Sequence, residues 1–413
     1  MNLRKLSLYF AGRGGFENAD WLSLAGVVAV SGTISEKGLH SSRKGLLELY
    51  LSWVLPPVIR LSDAGAGTDG SVPTVIVNSV GDEGAVCLDG TPPAYNWDAG
   101  KGEGANNWLL HFQGGGWCLN STLYETSDQS VQSCASRVNG SYGSSRYMQA
   151  TFNLTGMLSD DPKISAFYNW NRVLLRYCDG GSFAENAEQS DLVTKHYYRR
   201  ARIFDAIVKD LWAKGMRNAQ NVLLSGGSAG GLGSIIHCDR FRALFSMNVR
   251  VKCHADGALF ICVKNLEHAK FFAAVFRSVV DLHKPDKALP AECTSKRGPF
   301  ECFFSKSLVQ YLKSPIYFLN SAFDAFQIRN TFSNHLRETI MNHTLSKGDV
   351  PMLQDFRTQL ISVLPPPSSD IGFIITSLFG HTSALQGLKK PMFVDEKSET
   401  FESAFMDWFL DKH

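Results

Sequence analysis

The pattern of apolar and polar positions changes character near residue 72. Upstream, apolar residues follow neither a helical nor a strand period for long, and Gly and Asp punctuate residues 63–70. Downstream, short aliphatic or β-branched runs alternate with longer amphipathic stretches. The runs at 108–112, 172–177, 221–224, 251–254, 315–320 and 372–375 predict strands. Helices are predicted over 192–214, 230–241, 265–283, 326–341, 352–360 and 399–410. The first carries Ile203, Ile207 and Leu211 four apart on one face, with Gly215 as its stop signal. Strands of this kind separated by helices predict an α/β fold with a mostly parallel sheet covered by helices on both faces. One catalytic domain over 73–413 is expected, preceded by an extension over 1–72.

Composition narrows the partners. A formal charge of +2 over 413 residues, with no basic cluster interleaved with aromatics, speaks against a nucleic-acid footprint. The apolar stretches 6–11, 22–30 and 46–59 fall short of the roughly 20 residues that span a bilayer, so no stable membrane insertion is expected. None has the layout of a signal peptide: Glu17 and Asp20 stand before the second, and Glu48 and Pro56-Pro57 interrupt the third. The extension therefore reads as irregular or as a divergent targeting segment. A monomer is expected.

Nine cysteines are scattered without a Cys-x-x-Cys pair, which gives no support to a metal site, and their odd number leaves at least one thiol unpaired. Asn-x-Ser/Thr sequons at Asn120, Asn139, Asn153 and Asn342 lean toward the secretory pathway.

The most specific motif is Gly226-Gly227-Ser228-Ala229-Gly230, which follows the apolar run Val222-Leu223-Leu224 and precedes a helical pattern. A strand that reverses sharply into a helix forces its central serine into strained angles, and small neighbours relieve the crowding. The hydroxyl then projects above the sheet as a nucleophile, and the following helix N-terminus offers amides to developing negative charge. A phosphate loop would need Lys-Ser/Thr after the glycines, which is missing. This is the strand–turn–helix of an α/β-hydrolase-like serine esterase, whose triad runs Ser, then Asp/Glu, then His.

Asp324 follows the strand 315–320, and His381 follows 372–375 in Ser377-Leu378-Phe379-Gly380-His381. They are the expected orienting acid and general base, with Asp179 as an alternative acid. His237 and His254 read as structural, and His111 as a packing or loop-anchoring residue. Gln113-Gly114-Gly115-Gly116-Trp117 after the first strand supplies an oxyanion loop, so the expected donors are the amides of Gly116, Trp117 and Ala229.

Together with Cys87-Leu88-Asp89-Gly90, Tyr168-Asn169-Trp170-Asn171-Arg172, Arg176-Tyr177-Cys178-Asp179-Gly180 and Ala322-Phe323-Asp324-Ala325-Phe326-Gln327, these motifs resemble the plant pectin acetylesterases. That family also includes the animal Notum carboxylesterases. The resemblance carries the triad onto Ser228, Asp324 and His381. It implies hydrolysis of acetyl esters on acetylated pectin without metal or cofactor, by an extracellular cell-wall enzyme. Departures lie at cysteines: Gly227, His343, Leu378 and Thr382 stand where the family carries Cys. A lost disulfide near His381 implies a less rigidly held histidine, and Cys262 is the expected unpaired thiol. Two other readings are a Notum-like deacylase of lipid or protein esters and a decayed, carbohydrate-binding scaffold.

Overall fold

The computed structural model describes residues 28–30, 71–78, 84–119, 130–184, 201–263, 269–332, 334–342, 344–366, 368–386 and 400–412. Its strands are β1 (Val28–Val30), β2 (Ser71–Ile76), β3 (Ala94–Asp98), β4 (Asn107–Phe112), β5 (Trp117–Leu119) and β6 (Val131–Ser133). They continue with β7 (Thr151–Asn153), β8 (Asn171–Leu175), β9 (Asn221–Gly227), β10 (Arg250–Asp256), β11 (Ile316–Asp324) and β12 (Ile371–Gly380). The longer helices are α1 (Ala201–Ala213), α2 (Ala229–Arg242), α3 (Ala269–His283), α4 (Ala291–Phe303), α5 (Ala325–Thr331), α6 (Asn334–Met341), α7 (Asp349–Ile361) and α8 (Phe401–Phe409).

Ten strands form one sheet in the order β1-β12-β11-β10-β9-β4-β8-β3-β2-β7. The contiguous stretch from β12 to β8 is parallel throughout. These are the six strands the apolar runs predict. Both faces of each are buried, which is why they read as continuous apolar segments. The ends are antiparallel: β3, β2 and β7 extend one side, and β1 pairs with β12 on the other. Residues 28–30 of the extension thus join the sheet. The antiparallel strands escape the periodicity because they are short and polar. Asn96 in β3 is fully buried yet bonds the Val72 carbonyl and Thr74 Oγ1, and Thr151 and Asn153 in β7 are exposed.

Side-chain alternation sends the parallel strands into two cores. Leu110, Phe112, Val222, Leu224, Phe318 and Phe373 pack in the larger one, with residues of α1, α2, α3 and α7. Leu109, Leu223, Tyr317, Leu319 and Ile374 pack on the opposite face against Phe401, Phe405, Trp408 and Phe409 of α8 and Met157, Phe167 and Trp170. The two faces are therefore unequally covered: several helices on one, and among the described residues one helix plus the 154–170 segment on the other.

Where helices differ from the sequence reading, the cause is local. The stretch 326–341 forms two helices, α5 and α6. The segment α4 escapes prediction because Gly298-Pro299 breaks it, with Gly298 at φ 76°. The Cys293–Cys302 disulfide spans that break. Residues 192–200, 265–268 and 399 of the predicted helices lie outside the described residues.

Three further disulfides join Cys87 to Cys178, Cys118 to Cys134 and Cys238 to Cys253, and Cys262 is an exposed free thiol. The Cys87–Cys178 pair closes the longest loop of the four, with a sequence separation of 91. Of the sequons, Asn139, Asn153 and Asn342 are exposed, and Asn120 falls outside the described residues.

Candidate active site

Five neighbouring parallel strands, β4, β9, β10, β11 and β12, end at one edge of the sheet, where open α/β sheets place their ligands. The loop after β4, the turn after β9, the last residues of β10 and β11 and the first residue beyond β12 are therefore brought together. They contribute residues 113–117, Ser228, Asp256, Asp324 and His381.

Ser228 sits at the N-cap of α2 with φ 56° and ψ −126°, a left-handed backbone that a non-glycine residue adopts under strain. A serine at this position ordinarily caps its helix, but this hydroxyl makes no capping bond. It lies 2.7 Å from His381 Nε2 instead. The turn is tight enough that a Cβ on Gly230 would come within 2.8 Å of the Gln113 carbonyl oxygen, so a glycine is needed there. Gly227 is different, since a Cβ would meet only ordinary contacts, with Thr382 Cγ2 at 3.6 Å and His111 Nε2 at 3.8 Å.

Asp324 is fully buried at the N-cap of α5. Its Oδ1 accepts the Gln327 amide at 2.9 Å, which orients the carboxylate, and its Oδ2 is 2.8 Å from His381 Nδ1. Burial works to lower the pKa of His381. The charge and hydrogen bond of Asp324, joined by the charge of Asp256, outweigh burial and the opposing Arg329, and the net effect is a raised pKa. Phe326 stacks on the imidazole with centroids 5.1 Å apart. Asp179, the alternative acid, is spent elsewhere: its Oδ2 accepts the Phe183 amide at 2.7 Å.

The glycine loop is pinned by its carbonyls. Arg137 donates to the Gly115 oxygen, and Tyr177 Oη donates to the Gly116 oxygen at 2.7 Å. A trans peptide points its N–H opposite its C=O, so these bonds also set the directions of the Gly116 and Trp117 amides. Among the described residues the amides of Gly116 and Ala229 have no hydrogen-bond partner. Trp117 differs from expectation. Its amide donates to the Ser130 carbonyl at 2.9 Å, beside the pairing of β5 with β6, and its buried indole donates to Ser182 Oγ. The local strand pairing thus engages the amide that the motif offers as a donor.

A family profile described as pectinacetylesterase matches residues 66–413. The chain belongs to this family. It is 39% identical over 323 residues to pectin acetylesterase 7 of Arabidopsis thaliana, covering 76% of this chain and 80% of that protein. It is 35% identical over 358 residues to pectin acetylesterase 11 of the same plant, covering 83% and 88%. In three dimensions it is similar to the Wnt deacylase Notum from Drosophila, with a TM-score of 0.68 and 19% identity, over 83% of this chain and 93% of that one. At that identity the likeness concerns the fold alone.

Membership in the pectinacetylesterases sharpens two points about the loop that carries His381. Gly227 and Thr382, two of the positions where the resemblance leads one to expect cysteine, face each other, whereas His343 lies outside the described residues. The loop is nonetheless tied down. Asp256 Oδ2 accepts the amides of Ser383 and Ala384 at 2.7 and 2.6 Å, Ser321 donates to the Leu378 carbonyl, and Thr155 donates to the Leu385 carbonyl at 3.2 Å. Sequence reasoning missed Asp256. Its one local signal is a position at the end of an apolar strand, directly before a glycine.

Proposed function

We propose that the chain is a serine carboxylesterase that removes acetyl groups from pectin through an acetyl-enzyme on Ser228. The observation that carries this reading is the hydrogen-bonded sequence Ser228–His381–Asp324, with spacings of 2.7 and 2.8 Å, in a chain of the pectinacetylesterase family. His381 Nε2 takes the hydroxyl proton as Ser228 Oγ attacks the acetyl carbonyl carbon. The amides of Gly116 and Ala229 receive the oxyanion. Collapse of the tetrahedral intermediate breaks the bond to the sugar oxygen, and the imidazolium returns its proton to the departing polysaccharide hydroxyl. Water then attacks the acetyl-enzyme, His381 accepts its proton, and acetate leaves as Ser228 is reprotonated. Asp324 stabilises the imidazolium.

Four disulfides among the described residues and three exposed sequons support an extracellular, cell-wall setting. No helix of the described residues is long and apolar enough to cross a membrane. Acetate release from acetylated pectin, compared with hydrolysis of p-nitrophenyl palmitate, tests the substrate class. The expected result is Ser228-dependent acetate release with little turnover of the long-chain ester. Turnover of the palmitate ester alone would transfer the reading to a lipid deacylase.

A further inference from the structure

Asp256 is a buried carboxylate that the chemistry above does not use. It ends β10, paired in register with Gly227 of the nucleophile strand on one side and Leu319 of the acid's strand on the other. Its backbone carbonyl accepts the Ser228 amide at 2.8 Å. Its side chain accepts the amides of Ser383 and Ala384, the second and third residues after His381. One residue thus bonds both the nucleophile turn and the histidine loop, across 127 and 128 positions of sequence in the latter case. The contact continues at Gly257, whose φ of +59° suits glycine and where a Cβ would lie 3.1 Å from the His381 carbonyl carbon.

We propose that Asp256 is a positioning residue of the reaction centre: it clamps the Ser228 turn to the His381 loop and adds a second negative charge facing the imidazole. The proposal rests on the esterase reading for its kinetic consequences, but its geometry stands apart from the identity of the substrate. No described disulfide reaches this loop, so the two bonds to Asp256 hold it against the end of β10. Bonds from amides to a carboxylate are about twice as strong as neutral ones. A carboxylate this deeply buried would be abandoned by its charge without them. Burial pushes its pKa up, the two amides and His381 pull it down, and the balance falls at about 7. The charged groups facing His381 are Asp324 from β11, Asp256 from β10 and, in opposition, Arg329 from α5. Those facing Asp256 are His381 and Asp324.

The test uses Asp256→Asn and Ala384→Pro in the full chain. Asparagine keeps an oxygen for the two amides and removes the charge. Proline at the first residue of the short 3-10 turn Ala384–Gln386 removes one amide donor and leaves every charge in place. For Asp256→Asn we expect kcat on p-nitrophenyl acetate to fall about tenfold with KM nearly unchanged. The acidic limb of its kcat/KM profile should move down by about half a pH unit, because the imidazole loses a favourable charge. The NMR titration of His381, assigned by its loss in His381→Gln, should move the same way. Ala384→Pro should lower kcat several-fold and leave the limb in place. A folded Asp256→Asn protein with wild-type kcat, limb and His381 titration would overturn the proposal. If that variant does not fold, an Ala384→Pro protein with wild-type kcat overturns it instead. Ser228-independent turnover in the wild type would defeat the esterase reading alone, and the His381 titration would still judge the clamp.

Discussion

Two serine–histidine arrangements hang from the same strand, three residues apart. At the sheet edge Ser228 meets His381 at 2.7 Å. Deeper in β9, Ser225 Oγ lies 2.9 Å from Nδ1 of both His111 and His254. The contact distances are nearly equal, and the environments are opposite. His111 and His254 are fully buried, have no partner on Nε2 among the described residues, and have pKa values lowered to about 3 by burial. His381 is partly exposed and faces two carboxylates that raise its pKa. A hydroxyl next to an imidazole is therefore not a catalytic unit by itself. A carboxylate behind the ring, backbone strain that frees the hydroxyl from capping, and access for a substrate separate the two.

The largest effect should come from making the first arrangement resemble the second. Asp324→Asn removes the charge behind His381, and kcat on p-nitrophenyl acetate should fall by about 10⁴ with the fold retained by circular dichroism. The converse change, Ser225→Ala, should leave kcat within about threefold. It should destabilise the protein by about 1–3 kcal/mol in urea unfolding, because two buried ring nitrogens lose their partner.

Acid should also distinguish the two. His111, His237, His254 and His283 have folded pKa values lowered from 6.5 to about 3, 4, 3 and 3, in each case first through burial. The unfolded chain binds protons at these groups below 6.5, while the native state does not until far lower pH. Their contribution is thus present above 6.5 and lost as pH falls toward the folded values. Each adds a slope of up to about 1.4 kcal/mol per pH unit. Unfolding midpoints at pH 7 and pH 5 should show a clear drop, and a flat response would mean that these rings ionise within the fold. The raised pKa of His381 has the opposite sign: its stabilisation is present below the unfolded value and fades as pH rises through the folded one. The smallest effect is expected at Gly227, between the two arrangements. Its Cβ would meet no close neighbour, so Gly227→Ala should preserve activity and change stability by about +0.5 kcal/mol, through the unfolded chain.

How much of this was legible in the sequence follows from how local each feature is. The six parallel strands are continuous apolar runs, and Ser228, Asp324 and His381 each lie at the end of one of them or just beyond it, in the expected order. The structure brings those three side chains together. Helix α2 carries three glycines and is buried nearly all round, so its apolar pattern is faint, and the Gly-x-Ser-x-Gly context strengthens its prediction. Features made by distant pairing were not legible. Trp117 lies in a fitting motif, but its amide bonds the Ser130 carbonyl on the neighbouring strand segment. Asp256 looks like any polar residue before a turn, and its partners arrive from the far end of the domain.

The most direct test of the central claim is hydrolysis of p-nitrophenyl acetate by the purified protein and by Ser228→Ala, with folding checked in parallel. The expected result is turnover by the wild type and a fall of at least about 10⁴-fold in kcat for the folded variant. Equal turnover by the two proteins, or none by the folded wild type, would contradict the assignment of Ser228 as the nucleophile of a working esterase.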